Sequence, residues 1–291
     1  MDIFELLGIE SKIEIVDAGA SLGGRRTIYQ EIAENGWAHI VGFEPSKDEL
    51  VKLNAQKKAY ERYFPFFLGS GCEEVFYECS SPFTSSIFEP NKELLDHFSN
   101  LGDLCRVEHR HMITTKRIDD IEEIEDIDFF KLDIQGAELS VLQNGLEKLS
   151  SAVVVQVEVE FVELYRGQPL FADVDAFMRT LGFQFHTFES IGGRPFKPFR
   201  MAKSANLGIN QLLWADAVYV RDWMKPESLP SQKLRKCALI LDMCYGSVDL
   251  AHRILEEHDR IYGSDFSRIY QVSALRKERS NRILLVHEND T

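Results

Sequence analysis

Residues Ile15–Gly24 read IVDAGASLGG. An apolar run ends in the carboxylate of Asp17 and passes directly into small residues, the pattern of a buried strand feeding a turn that lets backbone approach a ligand. The turn Gly19-Ala20-Ser21-Leu22-Gly23-Gly24 has Gly-x-x-x-Gly-Gly spacing, not the G-x-G-x-x-G of a dinucleotide site. Asp17 argues the same way, because its negative charge beside the turn would repel a pyrophosphate. The ligand expected at this turn is therefore cationic.

Working outward, strand and helix patterns alternate along the chain, which implies an α/β domain with a mostly parallel sheet and helices on both faces. Strand one is read at Lys12 to Asp17, a helix from about Arg25 to Asn35, and strand two at His39 to Glu44. Gly36 is placed to end that helix in the left-handed conformation. Pro45, Ser46 and Glu49 form an S-x-x-E capping box, so strand two must stop at Glu44. Strand three spans Arg62 to Leu68 and closes at Gly69, while Glu74 to Cys79 reads as a short edge strand and Val107 to Lys116 as another strand. Ser81 to Asn91 reads as a loop over the sheet.

The acidic stretch Ile118 to Asp128, IDDIEEIEDID, is read as a helix with an apolar stripe and a solvated acidic face in preference to a cation site. Phe129 to Asp133 and Ala152 to Glu158 are strands, with a helix over Gly136 to Asn144 between them. Phe171 to Leu181 is a helix, and Phe183 to Phe188 with Leu212 to Arg221 suit an antiparallel edge. From Pro230 the pattern is helical and ends in a polar tail after Gly263. The expected division is a sheet domain over residues 1–228 and a C-terminal helical extension over 229–291.

Composition limits the partners. With 291 residues, 44 % hydrophobic and 27 % charged, the chain can bury a large core. Its net charge of −14 opposes a polyanion, so nucleic acid is not expected as substrate. MDIFELLGIESK has no basic-then-apolar leader, and no apolar run reaches bilayer length, so the expectation is a cytoplasmic protein without a membrane span. A homo-oligomer is compatible with the sequence. The five cysteines lack C-x-x-C spacing and suggest neither disulfides nor zinc; Cys237 and Cys244, seven apart, fit one buried helix face. His109 and His111 share a strand face, where a structural role is preferred to a base or metal pair.

S-adenosylmethionine carries an ammonium and a sulfonium, which suit Asp17, and a ribose diol, which suits a carboxylate at the end of strand two. Glu44 occupies that place. Gly19, Ser21 and Gly23 in the turn, with Leu68 and Gly69 at the end of strand three, complete the expected cofactor set. Asp133 ends the strand expected beside strand one and is the first choice for a general base, with Glu158 as the alternative or Asp133 only ordering the cofactor. Glu160 follows Glu158 by two residues into the same crevice, and Glu138 serves either the substrate or the helix dipole. Asp133, Glu158 and Glu160 have oxygen donors suited to a divalent cation, but no spacing specifies one and no metal is assigned.

DAGASLGG followed by GFEPS, FTSSIFEPN, DFFKLDIQGAEL and VEVEFVELYRGQPLF resembles the FkbM-type methyltransferases over about Lys12 to Arg221, with KLDIQGAE the most specific segment. Ala18 and Ser21 stand where a Val and an Asn are more usual. The resemblance implies a Rossmann-like, seven-stranded fold, S-adenosylmethionine as cofactor, and O-methylation of a hydroxyl on a sugar, glycan or other small metabolite. It also implies that the loops bearing Ser85, Ser86 and Tyr165 cover the ligands. A nucleotide-dependent oxidoreductase or epimerase, and a binding module without catalysis, remain as rival readings at this point.

Overall fold

The computed structural model describes residues 2–21, 26–202, 204 and 206–276. These divide into two compact units that do not follow the chain linearly. One comprises Ile13–Arg26 and Ala38–Asp222; the other joins residues 1–12 and 27–37 to the segment from Trp223 onward.

Among the described residues the larger unit has nine strands: β1 Ile13–Ala18, β2 Ala38–Phe43, β3 Glu61–Phe64, β4 Glu73–Cys79, β5 Val107–Thr114, β6 Phe129–Leu132, β7 Val154–Glu160, β8 Phe183–Gly192 and β9 Trp214–Arg221. Seven of them form one sheet in the order β3-β2-β1-β6-β7-β9-β8. The pairs from β3 through β7 are parallel, and β9 pairs antiparallel with both β7 and β8. Strand order reverses between β1 and β6, which is where an open α/β sheet opens its crevice.

Alternation along the strands gives the sheet two unlike faces. Val16, Val41, Phe130, Leu132, Val155, Val157, Ala217 and Tyr219 point to one face and belong to a single core cluster. Val141 and Leu142 of the helix Glu138–Gln143, Leu149 of Leu146–Leu149, and Val174 and Met178 of Phe171–Thr180 close over it. The registered residues Ile15, Ile40, Phe129 and Val154 begin the other face, which turns polar toward the carboxyl ends of the strands.

Several sequence expectations change. Residues Ile118–Asp128 are not a helix but a short 3-10 turn, Ile118–Asp120, followed by irregular chain. The stripe survives: Ile118, Ile121, Ile124 and Ile127 are all buried in the core, because spacing by three satisfies a 3-10 turn and its continuation as well as a helix. The strand at Glu73–Cys79 is not an edge of the main sheet, since it pairs with β5 in a separate two-stranded sheet. Ser46 is the N-cap residue of the helix Lys47–Gln56 but makes no side-chain capping bond, so the capping box is not formed. Strand three ends at Phe64, four residues before Leu68. Gly36 does take the left-handed conformation, with φ +75°, after the helix Gln30–Glu34.

In the smaller unit the helices Ser231–Tyr245 and Val248–Tyr262 are joined through Gly246 in the left-handed conformation. Cys237 and Cys244 are both buried in the first of them. Arg235 donates to the carbonyls of Leu7 (3.1 Å) and Gly8 (2.5 Å), and Lys236 to that of Lys12 (2.7 Å), which ties the N-terminal segment to this unit. A further helix, Phe266–Arg276, stands where a polar tail was expected; Asp259 accepts the Phe266 and Ser267 N–H groups at its start. Among the described residues no helix is long and apolar enough to cross a membrane.

Candidate active site

The polar half of the second sheet face is a row of charged and amide side chains running across four strands. Asp17 on β1 is registered with Lys131 on β6, Lys131 with Gln156 on β7, and Glu158 with Asp216 on β9. Asp133, two residues after Lys131, and Glu160, two after Glu158, extend the row to the carboxyl edge.

Asp17 is 2 % exposed, and its Oδ1 accepts a hydrogen bond from Lys131 Nζ at 3.2 Å. The carboxylate thus does not meet the crevice as an uncompensated negative charge, as the sequence had suggested. Burial alone would depress the Lys131 ammonium, but the carboxylates of Asp17 and Asp133 outweigh it and hold the lysine above its ordinary range. Two-residue spacing on a strand puts Lys131 on the same pleat face as Asp133 but says nothing of its partner. Its partner lies 114 residues away in the chain, so only the β1–β6 pairing reveals the ion pair.

Gln135 is the hub of the next layer. Its Nε2 donates to Asp133 Oδ1 (3.0 Å) and to Glu158 Oε2 (2.5 Å), fixing the two candidate bases against each other. The Tyr165 hydroxyl lies 3.1 Å from Gln135 Oε1 and 3.0 Å from the Thr84 carbonyl, while Ser86 Oγ donates to the Gln135 carbonyl at 2.5 Å. Gln135 itself has φ +62°, a left-handed conformation that costs a non-glycine residue free energy. Glu138 over-determines that conformation from beneath: its Oε1 accepts the Ile134 N–H and its Oε2 the Gly136 N–H, both at 2.8 Å.

Burial pushes the Glu138 carboxyl up to about 7, against the lowering effect of those backbone bonds. Burial, then the facing carboxylates of Asp133 and Glu160, hold Glu158 well above the usual carboxylate range. Glu160, 2 % exposed, is raised by burial and by Glu138, with Gln168 partly offsetting them. Both shifts favour the protonated carboxyl over the carboxylate. Asp216 is also raised by burial, eased by the Ser190 hydroxyl. Among the described residues no group of three or more His, Cys, Asp or Glu is arranged to hold a metal ion.

Glu44 follows the last residue of β2. Its Oε1 accepts the Ser46 N–H at 2.6 Å, and burial raises the carboxyl to about 7. Oε2 has no hydrogen-bond partner among the described residues, so one oxygen is left for a ligand hydroxyl. Across the strand, Gly42 admits the Tyr63 ring, which stands 2.5 Å from where a β-carbon would be. Gly19 has φ +83°, and a β-carbon there would lie 1.9 Å from the Asp133 carbonyl oxygen; this glycine lets the first turn pass against the end of β6. The N–H groups of Gly19 and Ala20 both reach the Phe43 carbonyl at 3.0 Å.

The remaining expected residues divide. Ser21 follows that turn, and Gly23 lies outside the described residues. Leu68 is buried in the core cluster, and the Gly69 N–H bonds the Lys116 carbonyl at 2.9 Å. Ser85 Oγ accepts the Cys79 N–H at 3.0 Å, so Ser85 pins its loop to β4 whereas Ser86 pins it to Gln135. His111 pairs with Glu78 at 2.8 Å on the separate two-stranded sheet, with His109 beside it. Gln135, Gln156 and Asp216 were missed. Gln135 sits inside the KLDIQGAE segment, and Asp216 stands opposite Glu158 only once the antiparallel edge is known.

A crevice at the strand-order reversal, with one carboxylate oxygen open at the end of β2 and both charge signs at the end of β1, fits S-adenosylmethionine: a diol acceptor on one strand, and Asp17 with Lys131 facing its zwitterionic methionine end. The class is that of Rossmann-like methyltransferases. The model of the methyltransferase FkbM domain family matches residues 17–185, and the chain belongs to that family, a methyltransferase that uses S-adenosylmethionine. No curated protein matches the sequence. Among solved structures, the chain is similar to magnesium protoporphyrin IX methyltransferase from Synechocystis with bound S-adenosylmethionine (10 % identity, 75 % of this chain and 76 % of that chain, TM-score 0.38). It is also similar to a putative S-adenosylmethionine-dependent methyltransferase from Listeria monocytogenes (9 %, 75 % and 97 %, 0.39) and a precorrin-6y C5,15-methyltransferase from Geobacter metallireducens (11 %, 75 % and 86 %, 0.37).

Proposed function

We infer that this methyltransferase acts on oxygen, on a hydroxyl of a sugar, glycan or other small metabolite, from the cytoplasm, with Asp133 as general base. The observation that carries the reading is the Gln135 amide, which holds Asp133 and Glu158 side by side at the carboxyl edge. When bound, S-adenosylmethionine supplies an electrophilic methyl group on a sulfonium. Glu44 would accept hydrogen bonds from its ribose hydroxyls, the first turn with Gly19 and Ser21 would hold its methionine end, and Leu68 and Gly69 would hold the nucleoside. The Asp17–Lys131 pair presents both signs to the amino-acid group.

An alcohol that gains a methyl must lose its proton, and a base within hydrogen-bond reach removes it. Asp133 takes that proton, because burial and neighbouring carboxylates raise Glu158 and Glu160 well above the usual carboxylate range and disfavour their ionised forms. Glu158 keeps a carboxyl against the Gln135 amide and limits Asp133 to one orientation, which is positioning in the sense that matters for an in-line displacement. Ser86, Tyr165 and Glu138 hold the loop that carries Gln135, while Ser85 and Glu160 border the acceptor. The test is transfer of labelled methyl from S-adenosylmethionine to a panel of hydroxyl, amine and carbon acceptors, with products located by mass spectrometry. Methylated hydroxyls are expected; transfer confined to nitrogen or carbon, or bound cofactor with no transfer to any acceptor, would refute the reading.

A further inference from the structure

The segment joining β8 to β9 differs from the rest of the protein in composition. Seven of the fifteen exposed large apolar side chains among the described residues fall between Ile191 and Leu212. Ile191, Phe196, Phe199, Leu207, Ile209 and Leu212 are 42 to 67 % exposed. Between Ser190 and Ala215 the sequence has Arg194, Lys197, Arg200 and Lys203 and no acidic residue, in a chain whose net charge is −14.

This exposure does not come from a loose loop. The Ser99 N–H donates to the Pro195 carbonyl (3.0 Å), the Lys197 N–H to that of His97 (2.8 Å), and Ser99 Oγ to that of Phe199 (3.1 Å). Phe196 packs on the buried Phe98 with ring centroids 4.5 Å apart. Arg194 is spent inside the segment, donating to the Gly193 and Asn206 carbonyls and lying over the Trp214 ring. Lys197 and Arg200 are exposed. The segment leaves the sheet at Gly192 and re-enters at Trp214, and Trp214 is registered with Glu160, so it hangs from the edge that carries Asp133 and Glu158.

We propose that the described residues between Ile191 and Leu212 form an interfacial docking surface that seats this edge of the sheet on an anionic lipid bilayer. Aromatic and aliphatic tips interleaved with cations are the chemistry of a peripheral anchor: the apolar groups enter the headgroup boundary while Lys197 and Arg200 meet lipid phosphates. An exposed apolar cluster of this density marks a contact surface in a soluble fold. A second copy is the poorer occupant, because a two-fold contact would set these cations against their own images. RNA is poorer still, since the aliphatic Ile and Leu tips offer bases no stacking platform. The acidic remainder of the chain is screened over about 8 Å at physiological salt, so a short-range cationic contact persists. The surface stands on the loop's own composition and does not depend on which acceptor is methylated.

The test is flotation of the full chain with phosphatidylcholine vesicles, with and without phosphatidylglycerol, at low and high salt. Binding is expected to the anionic vesicles and to weaken with salt. Phe199→Ser combined with Ile209→Ser, and separately Lys197→Glu combined with Arg200→Glu, should each lower it by about tenfold. Each variant should keep its thermal unfolding midpoint and its affinity for S-adenosylhomocysteine, which separates loss of the surface from loss of the fold or the cofactor site. No flotation, equal flotation with neutral vesicles, RNA retention in place of flotation, or a dimer that dissociates on Phe199→Ser would each overturn the proposal.

Discussion

Leu132 and its two neighbours, Lys131 and Asp133, are consecutive in the chain and belong to different environments. Leu132 faces the side of the sheet where helices close over a wholly apolar core; Lys131 and Asp133 face the side where the carboxyl ends of β1, β6 and β7 and the amino end of β9 gather acids, one lysine and amides. The strand's pleat alone separates them. The first face holds the sheet together by burial. The second keeps buried charges in a fixed constellation, which costs stability and is retained where chemistry needs it.

Breaking the second face at Asp133 should have the largest effect. Asp133→Ala is expected to lower turnover about 10²- to 10⁴-fold while changing affinity for S-adenosylhomocysteine far less, read from steady-state rates and calorimetry. A fall in affinity as steep as the fall in rate would reassign Asp133 to cofactor binding. Lys131→Met removes the cation facing Asp17 and Asp133 and should destabilise the protein by about 3–5 kcal/mol in urea unfolding. Adding Asp17→Asn should recover part of that loss; strictly additive losses would mean that the two side chains do not act as a pair.

Leu132→Ala sharpens the contrast from the other side. With the side chain fully buried, about 2–5 kcal/mol of stability should be lost with no change in cofactor affinity at a temperature where the variant stays folded. The smallest effect concerns pH. Glu44 is raised to about 7 by burial, and its ionised form is the better acceptor for two hydroxyl protons, so affinity for S-adenosylhomocysteine should rise as pH increases through about 7. The same raised value means that ionising Glu44 opposes folding, so its contribution to stability declines as pH rises from the ordinary carboxylate range toward about 7. Glu44→Gln should flatten this part of the affinity profile; an unchanged slope would assign the titration to another group.

The strands were legible where their neighbours in sequence define them. β1, β2, β6 and β7 announce themselves as apolar runs ending in acids, and the antiparallel edge follows from two late β-rich segments. Their carboxyl-terminal acids, Asp17, Glu44, Asp133 and Glu160, lie at or near the strand ends at the carboxyl edge. Pairings across long sequence distances were not legible. Lys131 neutralises Asp17, Asp216 stands opposite Glu158, and Ser86 and Tyr165 converge on Gln135, all set by strand order and loop docking. The isoleucine stripe at 118–127 identified buried positions correctly but not the backbone, because a spacing of three residues is shared by more than one kind of turn. The separate β4–β5 sheet shows the same limit: alternation marks a strand without saying which strand it joins.

The central claim is that the edge where strand order reverses is the S-adenosylmethionine crevice, entered beside Glu44. Titration calorimetry with S-adenosylhomocysteine on the wild type, Glu44→Ala and Leu132→Ala tests it most directly. The account predicts binding by the wild type and by Leu132→Ala, and weakening of about tenfold or more for Glu44→Ala, the loss of a charged hydrogen-bond acceptor. Equal affinity in all three proteins, or no binding by the wild type, would contradict it.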